Sequence, residues 1–131
     1  MIALDTNVLV RFLVEDDQAQ TRKAKSLVQK AVAQDTPLFI SDVVLCETVW
    51  VLASCYHVDR KDIVGVLRQL LRARHLKFAS VDCLANAVEA FEREPGDFTD
   101  YLIREHARTA GYRAVATFDR ALLNSEGFVS P

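Results

Sequence analysis

The chain has 131 residues, of which 50% are hydrophobic and 26% are charged, and its formal net charge is −2. This length suits one domain, because a single core usually serves roughly 100 to 200 residues, and the composition is that of a folded chain rather than a disordered one. The small negative charge gives no long-range attraction for a polyanion, so any contact with nucleic acid requires local basic patches.

Neither a targeting segment nor a membrane span is evident. The first 14 residues are apolar, but they include Asp5 and Arg11 and lack both the basic start and the cleavage site of a secretory signal. No segment reaches the roughly 18 apolar residues of a spanning helix. The histidines lack HExxH or paired-ligand spacing, and the cysteines lack CxxC spacing. We expect a soluble, cytoplasmic protein without a zinc site, whose cysteines are reduced core residues (Cys46, Cys55 and Cys83).

The chain opens with an apolar run and continues with a long amphipathic segment. The run IAL predicts a short buried strand, which ends by placing Asp5 in a turn or at a helix start. Asp16 and Asp17 can begin a helix that runs to about Gln34. Its apolar stripe at helical spacing comprises Ala24, Leu27, Val28, Ala31 and Val32.

A second strand and two helices are predicted after Pro37. The run LFI is strand-like, and Ser41 is suited to cap a buried helix over DVVLCETVWVLASCY. Asp59 caps a further amphipathic helix. Its inward positions are Ile63, Val66, Leu67, Leu70 and Leu71, and its outward positions are Arg60, Lys61, Arg68 and Arg72.

The remainder of the chain repeats this alternation. A brief strand is predicted near residues 77–80, followed by a helix over about 82–93. Pro95 and Gly96 interrupt the chain, Asp97 starts a helix that should stop at Gly111, and AVAT is strand-like. Strands that alternate with longer helices predict an α/β fold over residues 1–131, with a central, mostly parallel sheet flanked by helices on both faces.

Two acids follow predicted strands. In open α/β sheets, ligands bind outside the carboxyl ends of the strands, and Asp5 and Asp119 both fall at such ends. Each has a structural alternative, because Asp5 could cap a helix and Asp119 could cap the short segment RALLN. Glu47 interrupts a helix that is otherwise apolar, where an unpaired carboxylate would cost several kcal/mol, so it needs a metal or an arginine partner.

Asp97 and Asp100 lie three residues apart at a predicted helix start. Capping explains Asp97, and the positive end of the helix dipole favours both anions. An ion pair of Asp100 with Arg104, four residues later, is a competing interpretation. Several carboxylates at one place repel one another and require a cation, and oxygen ligands favour Mg²⁺ or Mn²⁺ over zinc. Such an ion can orient a phosphate and lower the pKa of water, which predicts phosphodiester hydrolysis.

Four sequence motifs, in order, resemble a PIN domain and in particular the VapC-type toxins of bacterial and archaeal toxin-antitoxin pairs. They are LDTNVLV at the start, ETVWVL, DFTDYLI and TFDRALL, and together they span almost the whole chain. The resemblance implies a three-layer fold with a central parallel sheet and the activity of a divalent-metal endoribonuclease. It also implies dimerisation and neutralisation by a small VapB-like antitoxin.

The resemblance also assigns roles to residues. It implies Asp5, Glu47, Asp100 and Asp119 as the catalytic, metal-binding acids, with Mg²⁺ as the cofactor and Mn²⁺ as a substitute. Asp97 would be auxiliary, and Asn7 and Thr117 would orient carboxylates or water, although each also fits an ordinary turn or strand position.

One motif departs from the family pattern, because Ile103 is followed by Arg104 and Glu105 where DxxIAA is common. These side chains could crowd or recharge the site. Arg104 could contact a phosphate, but a solvated helical arginine is the simpler interpretation. A basic set could hold RNA phosphates or form only a solvated surface: Arg60, Lys61, Arg68, Arg72, Arg74 and Lys77.

Two alternatives to a ribonuclease remain at the level of sequence. A strand-terminal Asp5 followed by threonine is compatible with an aspartate-nucleophile phosphatase, but the second Asp expected at position 7 is Asn7 and no catalytic lysine is evident. The other alternative is a non-catalytic binding module with the same fold. The apolar helices around Trp50 and Leu70 are consistent with a homodimer and a bound antitoxin peptide.

Overall fold

Parallel strands occur in both parts of the chain, and in the first part helices connect them. The computed structural model describes residues 1–131, which divide into two units, unit 1 over Met1–Ala79 and unit 2 over Ser80–Pro131. None of the helices combines the length and apolar character that crossing a membrane would require.

Unit 1 contains a three-stranded parallel sheet and four helices. Its elements are β1 (Ile2–Ala3), α1 (Thr6–Leu13), α2 (Gln18–Ala33), β2 (Leu38–Phe39), α3 (Asp42–Ser54), α4 (Arg60–Arg72) and β3 (Leu76–Lys77). The strand order is β1-β2-β3, with Ile2 opposite Leu38 and Leu38 opposite Leu76. The side chains that follow the strands, Leu4 and Ile40, are buried with Leu9, Leu45 and Ile63 in the core of this unit.

Unit 2 contains two helices and a parallel strand pair. Its elements are α5 (Val81–Arg93), α6 (Phe98–Thr109), β4 (Val115–Ala116) and β5 (Phe128–Val129). Val115 lies opposite Phe128, and Ala116 opposite Val129. The core of this unit contains Leu84, Val88, Phe98 and Tyr101, and the rings of Phe91 and Phe98 meet edge to face with centroids 6.2 Å apart.

Local capping fixes where helices α2 to α5 begin. Asp17, Ser41, Asp59 and Ser80 each accept a hydrogen bond from the backbone N–H three residues later, at 2.9 to 3.3 Å. These bonds satisfy amide donors that have no partner inside the helix. The predicted caps Ser41 and Asp59 are confirmed, and of the two acids predicted to begin α2, Asp17 is the cap. Ser80 begins α5 slightly before the predicted start.

Several local expectations were wrong. Strand β3 lies at Leu76–Lys77 rather than near residues 77–80, and β5 was not predicted. Helix α3 is not buried all round, because Val43 is 67% exposed and Trp50 is 64% exposed. The cysteines are free, as expected, but Cys55 is exposed, and Cys83 alone is fully buried.

Candidate active site

Asp5 stands between strand β1 and helix α1. It occupies the N-cap position with extended backbone angles, φ −81° and ψ 160°, but its side chain makes no capping hydrogen bond. The side chain is exposed. The capping alternative therefore explains the position of Asp5 but not its carboxylate, which is left available for a ligand.

Glu47 is held by a neighbouring hydroxyl. Thr6, the first residue of α1, donates a hydrogen bond from Oγ1 to Oε1 of Glu47 over 3.2 Å. Glu47 itself is exposed, so the expectation of a buried carboxylate was wrong, and its partner is a threonine rather than an arginine. Because Thr6 adjoins Asp5 in the chain, this bond brings the first two candidate acids into one local arrangement within unit 1. Thr6 lies in the LDTN motif but was not singled out from the sequence.

A second set of contacts links the C-terminal end of α1 to the residues that follow α3. Arg11 donates to Asp16 over 3.1 Å and to the Tyr56 hydroxyl over 3.0 Å, and that hydroxyl donates to Asp16 over 2.7 Å. The hydrogen bond from Tyr56 lowers the pKa of Asp16, and the same bond raises the pKa of Tyr56. These contacts hold the C-terminal end of α1 beside that of α3, away from the hydrogen bond between Thr6 and Glu47.

Asn7 lies in the first turn of α1 and is exposed. It lines an open cavity of about 330 Å³ between α1 and α2, together with Val8, Arg11 and Lys23. Its suggested role in orienting carboxylates or water stays a prediction.

Asp97 and Asp100 form the start of α6 in unit 2. The backbone N–H of Asp97, the N-cap residue, donates to Oδ2 of Asp100 over 2.9 Å. Asp100 thus serves as a cap, and its Oδ1 is left for another ligand. Partial burial raises the pKa of Asp100, the bond from Asp97 lowers it, and the charges of Asp97 and Asp119 raise it further. Asp97 and Asp119 are therefore each close enough to Asp100 to repel its carboxylate.

Asp119 lies three residues past Ala116, the last residue of β4. Its Oδ1 accepts from the N–H of Ala121 over 2.9 Å, so the alternative of a local cap is partly realised, in a turn rather than a helix. The Thr117 hydroxyl accepts from the N–H of Asp119 over 3.0 Å. Thr117 thereby orients the backbone of Asp119 rather than its carboxylate.

Carboxylate oxygens in both units suit a hard divalent cation. In unit 2 the mutual repulsion around Asp100 is the kind that such a cation relieves, and Asp100 and Asp119 each engage only one oxygen with a backbone amide. Within neither unit taken alone do three acidic, cysteine or histidine side chains form a ready metal cluster. The donor chemistry fits Mg²⁺ or Mn²⁺, and each unit supplies part of the predicted set.

Arg104 and Glu105 are buried rather than solvated, each with 6% of its surface exposed. Arg104 pairs with Glu105 over 3.2 Å and with Glu94 over 3.7 Å. Both earlier interpretations of Arg104, as a solvated arginine and as a partner of Asp100, were wrong. The side chains do not project into the solvent next to the acids.

The basic residues proposed for RNA lie along and after α4. Lys61, Arg72 and Lys77 are exposed, and Arg74 approaches Asp35 only at 4.0 Å. This exposure is compatible both with a phosphate contact and with a solvated surface, so the RNA role stays a prediction.

The sequence model of the PIN domain matches residues 2–125, so the chain belongs to the PIN-domain family. A VapC ribonuclease of Aquifex aeolicus (strain VF5) is 26% identical over 121 residues, covering 92% of this chain and 88% of the relative. The crystal structure of VapC20 of Mycobacterium tuberculosis, a toxin that cleaves the sarcin-ricin loop, covers 100% of both chains at 21% identity, with a TM-score of 0.41. The resemblance to a PIN domain and the α/β class are confirmed. The family match favours a PIN domain over the phosphatase alternative.

Proposed function

We propose that the protein is a divalent-metal-dependent endoribonuclease, the toxin of a VapC-type toxin-antitoxin pair. The observation that carries the proposal is the family match over residues 2–125, which includes every candidate acid. The relative named a VapC ribonuclease matches over 92% of the chain and supports the same function. Because the match runs through both units, it also supports residues 1–131 as one PIN domain.

The proposed metal ligands are Asp5, Glu47, Asp100 and Asp119, with Asp97 as an auxiliary acid. Mg²⁺ is the proposed cofactor and Mn²⁺ a substitute, because all candidate ligands are carboxylate oxygens. When bound, the ion would orient the scissile phosphate, help to ionise the attacking water and stabilise the leaving 3′ oxygen.

Hydrogen bonds from neighbouring residues restrain three of the candidate acids. The Thr6 hydroxyl restrains Glu47, the Asp97 amide restrains Asp100, and the Thr117 hydroxyl restrains the backbone of Asp119. Each restraint limits the orientations of the acid before a ligand binds, so less conformational entropy is lost on binding. Asn7 is proposed to add a further donor beside Asp5.

The proposed partners are an RNA substrate, a VapB-like antitoxin and a second copy of the chain, in the cytoplasm. Exposed apolar side chains on α3, Val43 and Trp50, are consistent with a protein partner. Leu70, considered with Trp50 from the sequence, is buried and therefore belongs to the core of unit 1.

Cleavage of RNA by purified protein tests the proposal. With Mg²⁺ or Mn²⁺ we expect endonucleolytic products, EDTA should abolish them, and Asp5→Asn should lower the rate by more than about 100-fold. Asp82→Asn provides a control, because Asp82 is an exposed acid on α5 outside the candidate set. Undiminished cleavage by the Asp5 variant would reject the assignment, and a folded parent that cuts no RNA would favour a non-catalytic binding module.

A further inference from the structure

Arg104 is a buried arginine near the middle of α6, and it contacts a distant part of unit 2. Its Nε donates to Glu105 Oε2 over 3.2 Å, and its Nη1 donates to the backbone carbonyl of Glu126 over 2.9 Å. Glu94 lies 3.7 Å from the same Nη1, and Arg108 also donates to Glu105, over 3.1 Å. The guanidinium therefore joins α6 to the segment immediately before strand β5.

Two aromatic rings lie beside the same guanidinium. Its central carbon lies 5.1 Å from the ring centroid of Tyr101 and 5.6 Å from that of Phe128, which is within the range of cation–π attraction. Gly127 fits closely against the side chain, because a Cβ at that position would lie 2.7 Å from Cδ of Arg104. The chain around Gly127 is shaped to accept this arginine.

The two segments that Arg104 joins carry two of the candidate acids. Asp100 lies one helical turn before Arg104 on α6, and Asp119 stands at the start of the connection that ends at Glu126. Asp97, at the start of the same helix, adds a further negative charge. Repulsion between the carboxylates of Asp100 and Asp119 favours separation of the two segments, and the contacts of Arg104 oppose that separation.

We propose that Arg104 is a positioning residue, which holds Asp100 and Asp119 at the separation that a divalent cation requires. The inference rests on the proposed function. Stability alone is a weak reason for this cluster, because apolar side chains of similar size often replace a buried ion pair without loss of stability. A guanidinium instead fixes direction, since its planar donors bind Glu105 and the Glu126 carbonyl along different axes.

The test uses the full chain, with Mn²⁺ alone as the probe in calorimetric titrations at a temperature where circular dichroism shows each variant folded. Arg104→Met combined with Glu105→Met removes the buried pair without leaving a lone buried charge. Arg93→Met combined with Glu89→Met is the matched control, because it removes an arginine and a glutamate from an exposed pair on α5, 3.1 Å apart. We expect the first variant to bind Mn²⁺ about 10- to 100-fold more weakly and the control to stay within about twofold of the parent.

An unchanged dissociation constant in the folded Arg104 and Glu105 variant would show a purely structural role and overturn the inference, while the proposed function would stand. A folded parent that does not bind Mn²⁺ would overturn the proposed function, and the inference with it. If the double variant does not fold, Arg104→Lys decides, because lysine keeps the charge but replaces the rigid, planar guanidinium donors with a single ammonium nitrogen. Parent-like Mn²⁺ affinity in that variant would again overturn the inference.

Discussion

The acids of unit 1 and those of unit 2 are held in different ways. Glu47 is exposed and restrained by one hydroxyl, and the helices that carry Asp5 and Glu47 are joined by partly exposed polar contacts. Asp100 is partly buried beside other carboxylates, on a helix that a buried ion cluster fastens to the segment before β5. Because the supporting contacts of unit 2 are buried and those of unit 1 are partly exposed, substitutions of the supporting residues should have their largest effect on stability in unit 2.

The largest expected loss of stability comes from Arg104→Ala. Loss of the guanidinium deprives buried Glu105 of one partner and leaves space beside Tyr101 and Phe128, which should lower the free energy of unfolding by about 3 kcal/mol. Arg93→Ala breaks only an exposed pair with Glu89 and should cost at most about 0.5 kcal/mol. Urea denaturation measures both values. Equal losses would show that the buried cluster does not support unit 2 as argued.

A smaller loss is expected from Gly127→Ala. Gly127 has a φ of +89° and little room beside Arg104, so alanine should cost about 2 kcal/mol through strain and displacement of the arginine. Gly111 has a similar φ, +92°, but open space around it, so Gly111→Ala should cost about 1 kcal/mol from backbone strain alone. Thermal melts of the two variants separate these causes. A larger loss at Gly111 would contradict the close fit of Gly127 against Arg104.

A change of the opposite sign is predicted for Asp100. Asp100→Asn should raise the melting temperature by a few degrees without metal at pH 7, because the amide oxygen still accepts from Asp97 while the charge is gone. The raised pKa of Asp100 means that the folded parent holds this proton more tightly than the unfolded chain. Its stability therefore falls as pH rises through that pKa, and the advantage of the variant should grow over the same range. The variant should also lose most of the stabilisation that Mg²⁺ gives the parent.

Glu47→Gln is the matched change in unit 1. The exposed side chain keeps its acceptor for Thr6, so we expect little change in melting temperature without metal. The contrast between the units would be wrong if Asp100→Asn melts lower than the parent in EDTA and Mg²⁺ raises the melting temperatures of the parent and of this variant equally. Asp100 would then have only a structural role.

Features set by neighbouring residues could be predicted from the sequence. The caps Asp17, Ser41 and Asp59 depend on an amide three residues away, and the run LFI after Pro37 marks β2 by its own composition. Strand β5 was missed because Phe128 and Val129 stand between Gly127 and Ser130, without an apolar run such as the LFI that marks β2. The positions of the candidate acids came from motifs, but whether all four bind one metal site stays a prediction.

Features set by distant residues could not be predicted. The burial of Arg104 depends on Phe128 and on the Glu126 carbonyl, more than 20 positions later in the chain, and nothing in the local pattern indicates them. The exposure of Glu47 had a similar origin, because an apolar helix does not reveal which of its faces packs against the core. The sequence spacing of Val43, Glu47 and Trp50 places them on one face of α3, but only the fold shows that this face is exposed.

Thr6 limits how the start of the chain can vary. The residue is 8% exposed, yet its hydroxyl donates a hydrogen bond to the carboxylate of Glu47. A single small side chain therefore both packs against its neighbours and supplies a donor. Serine would keep the hydroxyl but leave a methyl-sized void, at a cost of about 1 kcal/mol. Valine would fill the space but remove the donor. Few substitutions at position 6 can therefore keep both the packing and the hydrogen bond.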